Sequence, residues 1–164
     1  MPIVNAHAAS EIVCSLLQGA QLDTLRIYSL VMQLGFFRPE NVADLPAEAW
    51  VSLSGTLVNE QAEPVAPEDF FERRASALSA AYRLIGQRVT SAHVLDSGAL
   101  RIRFGERSLR VEADDTNLEE VWSVMSDSSE PAADHSWWAS LHESGELSAH
   151  APRSSLARAA PTSS

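Results

Sequence analysis

Two stretches of this chain repeat the same order of apolar, polar and glycine residues. Residues 17–22 align with 84–89, residues 25–35 with 92–105, and residues 48–54 with 120–126. A repeat at this spacing is typical of a duplicated structural unit. We therefore predict two tandem copies of one unit, related by a pseudo-two-fold axis. Chance similarity between two stretches rich in strand-forming residues is the alternative.

Each copy is predicted to begin with a helix. In the first, Ser10 is a candidate N-cap and Gly19 ends the helix. In the second, Pro67 suits the first helical position and Gly86 ends the helix. Apolar residues recur there at spacings of three and four, which predicts one apolar stripe along the helix: Phe71, Ala75, Leu78, Tyr82 and Ile85.

Antiparallel strands are predicted to follow each helix. Residues 100–104 alternate strictly between apolar and arginine residues, so one face of that strand should be buried. Hairpins are predicted over 100–112, over 50–58 with a turn at Ser54-Gly55, and over 137–150 with a turn at Ser144-Gly145. Trp50 and Trp122 fall at equivalent positions of the alignment and are predicted to be core residues. The fold class is α+β, with a helix and an antiparallel sheet in each copy.

The predicted boundaries follow changes in composition. Residues 1–58 form the first repeat and residues 68–151 the second. Residues 59–67 are polar and contain two prolines, which is typical of a linker. Residues 152–164 are small, polar and without apolar periodicity, so we predict a disordered tail.

The charge balance narrows the class of partner. The chain has 22 acidic and 12 basic residues, a net charge of −10, and every basic residue is arginine. Phosphate backbones and anionic lipid repel such a chain, so nucleic acid and membranes are poor candidate partners. A basic protein fits better. The alternative is that the acidity only keeps the protein soluble.

An acidic stretch between Glu112 and Glu146 is the strongest candidate for a binding region. It contains ten carboxylates and no arginine: Glu112, Asp114, Asp115, Glu119, Glu120, Asp127, Glu130, Asp134, Glu143 and Glu146. A negative patch of this kind attracts a basic partner and accelerates the encounter. The alternative is a solvated face whose acids pair with the preceding arginines Arg101, Arg103, Arg107 and Arg110.

The neighbouring pair Trp137-Trp138 is the second candidate. Adjacent side chains on a strand point to opposite faces, so both rings are buried only if both faces of the sheet are covered. If one ring is exposed, it can anchor a protein interface. If both faces are covered, the two rings are core residues.

The sequence offers little for catalysis or for a cofactor. It has no Gly-x-Ser-x-Gly motif and no phosphate-binding glycine loop. His135, His142 and His150 lie near carboxylates but lack a recognised metal-ligand spacing, so structural or surface roles are the default. We expect neither enzyme activity nor a metal or cofactor. The first residues lack a secretory signal, which favours the cytoplasm.

The second repeat resembles a group of small bacterial domains of uncharacterised function. The shared motifs are Leu-x-Gly-x-x-Val, Glu-x-Trp and Gly-Glu-Leu, which begin at Leu84, Glu120 and Gly145. In size, acidity and absence of catalytic motifs, the chain also resembles immunity proteins of bacterial polymorphic-toxin systems. This resemblance implies stoichiometric inhibition of a basic, nuclease-type toxin domain. A chaperone or adaptor for a secreted effector, or a small-ligand-binding module, are the alternatives.

Overall fold

The computed structural model describes residues 3–62, 69–114, 119–126 and 136–152. They form an α+β fold with ten strands in two antiparallel sheets. The elements, in chain order, are α1 (Ala6–Leu17), β1 (Gln21–Ile27), β2 (Met32–Phe37), β3 (Glu48–Leu53), β4 (Thr56–Asn59), α2 (Phe70–Arg83), β5 (Ser91–Val94), β6 (Leu100–Phe104), β7 (Arg107–Glu112), β8 (Glu120–Ser126), β9 (Trp138–His142) and β10 (Leu147–His150).

The two sheets exchange strands between the halves of the chain. The six-stranded sheet has the order β1-β2-β3-β8-β9-β10, and the four-stranded sheet has the order β4-β7-β6-β5. Each sheet therefore contains three strands that are consecutive in the chain, β1 to β3 in one and β5 to β7 in the other. The next strand beside the third of them, β8 or β4, comes from the other half of the chain. The alternating apolar residues of both sheets face one shared core, in which the rings of Phe36 and Phe104 stack 6.4 Å apart.

The helix starts differ from those expected. Asn5, and not Ser10, caps α1, because its side chain accepts a hydrogen bond from the backbone N–H of Ala8 at 2.9 Å. Ser10 lies within α1 and exchanges hydrogen bonds with the backbone of Val94 on β5. Asp69 caps α2 by accepting from the N–H of Glu72, while Pro67 lies outside the described residues.

Both predicted glycines follow a helix end. Gly19 and Gly86 have φ angles of +82° and +87°, which glycine adopts without steric cost. The segments after the two helices then pair with each other. Gly19 N–H donates to the Val89 carbonyl at 2.8 Å, and Gly86 N–H donates to the Leu22 carbonyl at 2.7 Å. Arg38, which the sequence did not indicate, completes the end of α1 by donating to the carbonyls of its last turn.

Two sequence predictions that involve β3 are wrong. β3 and β4 do not form a hairpin, because the chain passes from the six-stranded sheet to the four-stranded sheet at Ser54-Gly55. Trp50 and Trp122 are also not equivalent, since Trp50 lies on the third strand of one set and Trp122 on a strand contributed by the other half. The tandem repeat is therefore not confirmed in the form in which the sequence suggested it. The hairpins β6–β7 and β9–β10 are confirmed.

The predicted stripe of α2 does not supply its buried face. Ala77 and Ala81 are the buried residues of the helix, and Leu84 follows them into the core. Phe71 and Tyr82 of the stripe are 78% and 70% exposed. Small residues bury one side because they allow the helix to lie close to the core, and the large residues are left facing solvent.

Candidate interaction surface

The outer face of the six-stranded sheet, on the side away from the core, carries a row of residues that crosses all six strands. Strand pairing places them side by side in the order Thr24, Gly35, Trp50, Met125, Trp138 and His150. We call these residues the aromatic row. Met125 is 44% exposed, and Phe37, which lies on the same face beside Glu48, is 40% exposed. Solvent therefore reaches this face between and beside its large side chains.

Trp50 is held in place by its neighbours. Its ring lies over Gly35, where an added Cβ would come within 2.8 Å of two ring carbons. Glycine in the strand thus makes room for the ring. Arg26 lies on β1, and its guanidinium is 4.3 Å from the centroid of the Trp50 ring. This cation–π contact fixes the indole further. Trp50 is half-buried, so the prediction that it is a core residue is wrong.

Trp137 and Trp138 occupy opposite sides of the sheet. Trp137 is buried, and its backbone N–H donates to Ser126 Oγ. Trp138 is half-buried in the aromatic row, and its ring stacks on His150 with centroids 6.3 Å apart. Adjacent positions on an extended chain explain this division. Trp122, by contrast, is a core residue as predicted.

The acidic stretch is divided between the two sheets. Glu112 on β7 pairs with Arg110 at 2.9 Å, and Asp114 accepts a hydrogen bond from Thr56 Oγ. Glu112 is the last residue of β7, and Asp114 follows β7 but is bonded to Thr56 on β4, so both lie at the four-stranded sheet. Glu119 and Glu120 are exposed at the start of β8, on the six-stranded sheet. Asp115, Asp127, Glu130 and Asp134 lie outside the described residues.

Four exposed acids of the six-stranded sheet gather at one corner, whereas Asp23 on β1 and Glu48 on β3 lie elsewhere on the sheet. Glu143 N–H donates to the Glu119 carbonyl at 2.8 Å, and Glu120 lies opposite His142. Glu146 lies in the turn that follows. We call Glu119, Glu120, Glu143 and Glu146 the acidic corner. Among the described residues, no arginine forms an ion pair with these four carboxylates, so the corner presents a local excess of negative charge.

The outer face of the four-stranded sheet carries an ion-pair network of arginines around Glu60, a carboxylate that the sequence analysis did not assign to them. Glu60, assigned by sequence to the linker, accepts hydrogen bonds from Arg101 at 2.7 and 2.8 Å and from Arg110 at 2.9 Å. The Ser108 hydroxyl donates to it as well. The Arg101 hydrogen bonds hold the pKa of Glu60 below its ordinary value. The alternation in residues 100–104 places Arg101 and Arg103 on the same solvent-facing side of the strand. Two arginines side by side there indicated that a carboxylate lies nearby.

Glu60→Gln should destabilise the fold by about 1–3 kcal/mol, the scale of a hydrogen bond to a charged group. The depressed pKa of Glu60 stabilises the folded state above the ordinary value of 4.5, and this contribution is lost as pH falls through the folded value. Urea unfolding between neutral and acid pH should therefore show a smaller acid loss in the variant. Glu112→Gln is the matched control, because its more exposed pair with Arg110 is worth at most about 1 kcal/mol. Equal losses of unfolding free energy in Glu60→Gln and Glu112→Gln would contradict the central place of Glu60 in the ion-pair network.

A polar cleft of about 380 Å³ lies between α2 and the strands β4 and β7. Arg73, Ser76 and Asn59 line it together with Glu60 and Arg110. Among the described residues, no group of three or more His, Cys, Asp or Glu side chains could hold a metal ion. In the same part of the chain, no helix is long and apolar enough to cross a membrane.

These features define a class: a two-sheet α+β protein with strands exchanged between its halves and an accessible aromatic face. Residues 16–135 match the model of a family described as "Family of unknown function (DUF6188)", and the chain belongs to that family. The matched residues include β1 to β8, and thus both sets of four strands, while β9 and β10 lie beyond the match. No curated protein and no solved structure matches the chain.

Proposed function

We propose that the protein is an immunity protein, which neutralises a bacterial toxin domain by stoichiometric binding in the cytoplasm. The observation that supports this best is the aromatic row on the accessible face of the six-stranded sheet. Tryptophan and methionine are enriched in the buried centres of protein interfaces, where they supply most of the binding energy. The hot spots in this proposal are Trp50, Met125 and Trp138.

The charge of the chain supports a basic partner. The acidic corner lies on the same sheet as the aromatic row, and the chain as a whole has a net charge of −10. Exposed carboxylates attract a basic surface over a distance of about 8–10 Å at physiological salt. They orient the encounter, and the apolar side chains then hold the complex together. Nuclease domains fit this description because their substrates require a basic surface.

The proposed binding region differs from the stretch identified in the sequence. Glu112 and Asp114 are excluded from it, because they bond to residues of the other sheet, Arg110 and Thr56. Trp137 is excluded because it is buried. Trp50 and Met125 are added, although they lie far apart in sequence, because β3 and β8 are neighbours.

The polar cleft supports a second candidate function, binding of a small ligand. Its volume falls in the range of about 300–1,000 Å³ that is usual for ligand sites. Typical sites of that kind are mostly apolar, whereas Glu60 and Arg110 in this cleft are engaged with each other. Protein binding through the aromatic row is therefore the preferred proposal.

We also propose that the chain arose by tandem duplication with exchange of the fourth strand. The matching strand orders β1-β2-β3-β8 and β5-β6-β7-β4 support it. The reciprocal hydrogen bonds after the two helices support it too, because exchanging Gly19 with Gly86 and Leu22 with Val89 turns one into the other. In this arrangement β8 corresponds to β4, and β9 and β10 are additions to the second copy.

The proposal is tested on the protein encoded beside this gene, expressed in bacteria with and without the chain. Co-expression should relieve growth inhibition, and the two purified proteins should form a complex of fixed stoichiometry. In binding kinetics, Trp138→Ala and Trp50→Ala should each raise the dissociation rate about 30-fold, the effect of a hot spot worth about 2 kcal/mol. Glu119→Lys with Glu120→Lys should instead slow association, and added salt should do the same.

Arg107→Ala is the control, because Arg107 is exposed on β7 of the other sheet. It should change neither rate. Toxicity that the chain does not relieve would contradict the immunity function. A complex that forms equally fast in low and high salt, and that tolerates both tryptophan variants, would contradict the proposed surface.

A further inference from the structure

The apolar stripe of α2 has a use that the proposed binding face does not explain. Phe71, Ala75, Leu78 and Tyr82 lie on α2, and Ile85 continues the stripe in the turn after the helix, where its N–H donates to the Tyr82 carbonyl. Leu78 is half-buried and the others are exposed. Their spacing of four, three, four and three residues is the a/d pattern of a helix that packs against another helix. In the part of the chain that the structure describes, the only other helix is α1, and most side chains of the stripe face solvent.

We propose that α2 packs antiparallel against α2 of a second copy, so that the protein is a symmetric dimer. The a/d spacing of the stripe favours packing against another helix. A two-fold axis through Leu78 would bring Phe71 of one chain to Ile85 of the other. Closed two-fold dimers of this type are the commonest soluble oligomers. The partner stripe covers the side chains that each chain leaves exposed.

The charges beside the stripe are complementary in this arrangement. One flank of α2 carries Glu72, Ser76, Ser79 and Arg83, with Glu72 in the first turn and Arg83 in the last. Within one helix these two charges are about 16 Å apart, at about 1.5 Å per residue. Antiparallel packing brings Glu72 of each chain near Arg83 of the other. The flank is thus neutral overall, although the whole chain is strongly acidic.

The available apolar area is that of a specific interface. The turn between β1 and β2 borders the start of α2, because the Arg74 guanidinium donates to the carbonyls of Tyr28 and Ser29. Ile27, Tyr28 and Leu30 are each more than half exposed there. Scaled by their exposed fractions, these three side chains and those of Phe71, Tyr82 and Ile85 present on the order of 700 Å² per chain, taking about 200 Å² for one fully exposed large side chain. A standard interface takes about 800 Å² from each partner.

Sedimentation equilibrium of the full chain, over about 1–100 µM, tests the proposal across the range of weak specific pairs. Wild type should be a dimer. Phe71→Glu and Tyr82→Glu should each weaken it by about 30-fold or more, with thermal melts that differ little from wild type because both side chains are largely exposed. Ile3→Glu is the matched control, since Ile3 is also exposed. It bridges to β10, at the edge of the six-stranded sheet opposite to β1. This variant should leave the dimer intact.

A charge exchange tests the antiparallel arrangement itself. Glu72→Arg should weaken the dimer, because two arginines then face each other across the interface. Adding Arg83→Glu in the same chain should restore it, since the opposite charges meet again with their positions exchanged. A wild-type chain that is monomeric at the highest concentration would overturn the proposal. So would a dimer that tolerates both glutamate variants, or a double variant as weak as Glu72→Arg alone.

Discussion

Trp122→Ala should cost about 3–5 kcal/mol of unfolding free energy, the usual price of removing a buried tryptophan. Trp122 is fully buried at the point where β8 enters the six-stranded sheet opposite Leu53. Its indole Nε1–H donates to the Gly98 carbonyl at 2.9 Å. The alanine variant therefore creates a cavity and leaves a buried carbonyl without its donor. Since domains are stable by only about 5–15 kcal/mol, the variant loses a large fraction of its stability and should unfold at a much lower urea concentration than wild type.

Trp50→Ala is the matched control for this prediction. Trp50 lies on the neighbouring strand β3, but on the outer face, where it is half-buried against Gly35 and Arg26. Its loss should cost at most about 1–2 kcal/mol, because its site opens to solvent and no enclosed cavity forms. Urea unfolding followed by circular dichroism measures both. Equal losses in the two variants would show that Trp122 does not have the special place in the core that we assign to it.

Local sequence signals predicted the elements that depend on neighbouring residues. The alternation in residues 100–104 gave the face of β6 correctly, because a strand with one wet side needs that period. Gly86 marked the end of α2, because a positive φ angle favours glycine at that position. The Ser144-Gly145 turn joins β9 to β10 as expected. Each of these features is decided within a few residues.

The arrangement of the strands in sheets was not predictable in this way. The Ser54-Gly55 turn has the composition of a hairpin, yet β3 and β4 part there because each finds a partner in the other half of the chain. The pairing of β3 with β8 depends on residues about 70 positions apart, and no local pattern records it. For the same reason, the alignment placed Trp50 and Trp122 together although their strands have different roles.

The candidate binding face shows the same division. Strand alternation indicated that Trp137 and Trp138 point to opposite sides, and the structure identifies Trp138 as the accessible one. Trp50 and Met125 join Trp138 only through the strand order. The acidic residues were predicted to form one patch because ten of them fall within residues 112–146 without an arginine. The passage of the chain from β7 to β8 separates Glu112 from Glu120 into different sheets.

Gly55→Ala should destabilise the protein by about 3 kcal/mol, at the upper end of the usual cost of overpacking. An added Cβ would clash with the Glu112 carbonyl oxygen and lie 2.8 Å from Val121 Cγ1. The first of these is a backbone atom, which cannot move aside as the end of a flexible side chain can. Glycine is required at Gly55 because a side chain has no room there. At Gly145 it is favoured for another reason, because the φ angle is +88°.

Gly145→Ala is the control, because nothing lies within 4 Å of the added Cβ. It should cost only the backbone strain of about 1–2 kcal/mol. Both variants are measured by urea unfolding, and a smaller loss at Gly55 than at Gly145 would refute the steric argument.

Gly55 leads out of β3, Glu112 ends β7 and Val121 lies in β8, so both passages between the sheets meet at this residue. Its N–H also donates to the Val121 carbonyl at 3.1 Å. A side chain there would push apart the strands that the two halves exchange, which makes Gly55 the position where the strand exchange depends most on a single residue.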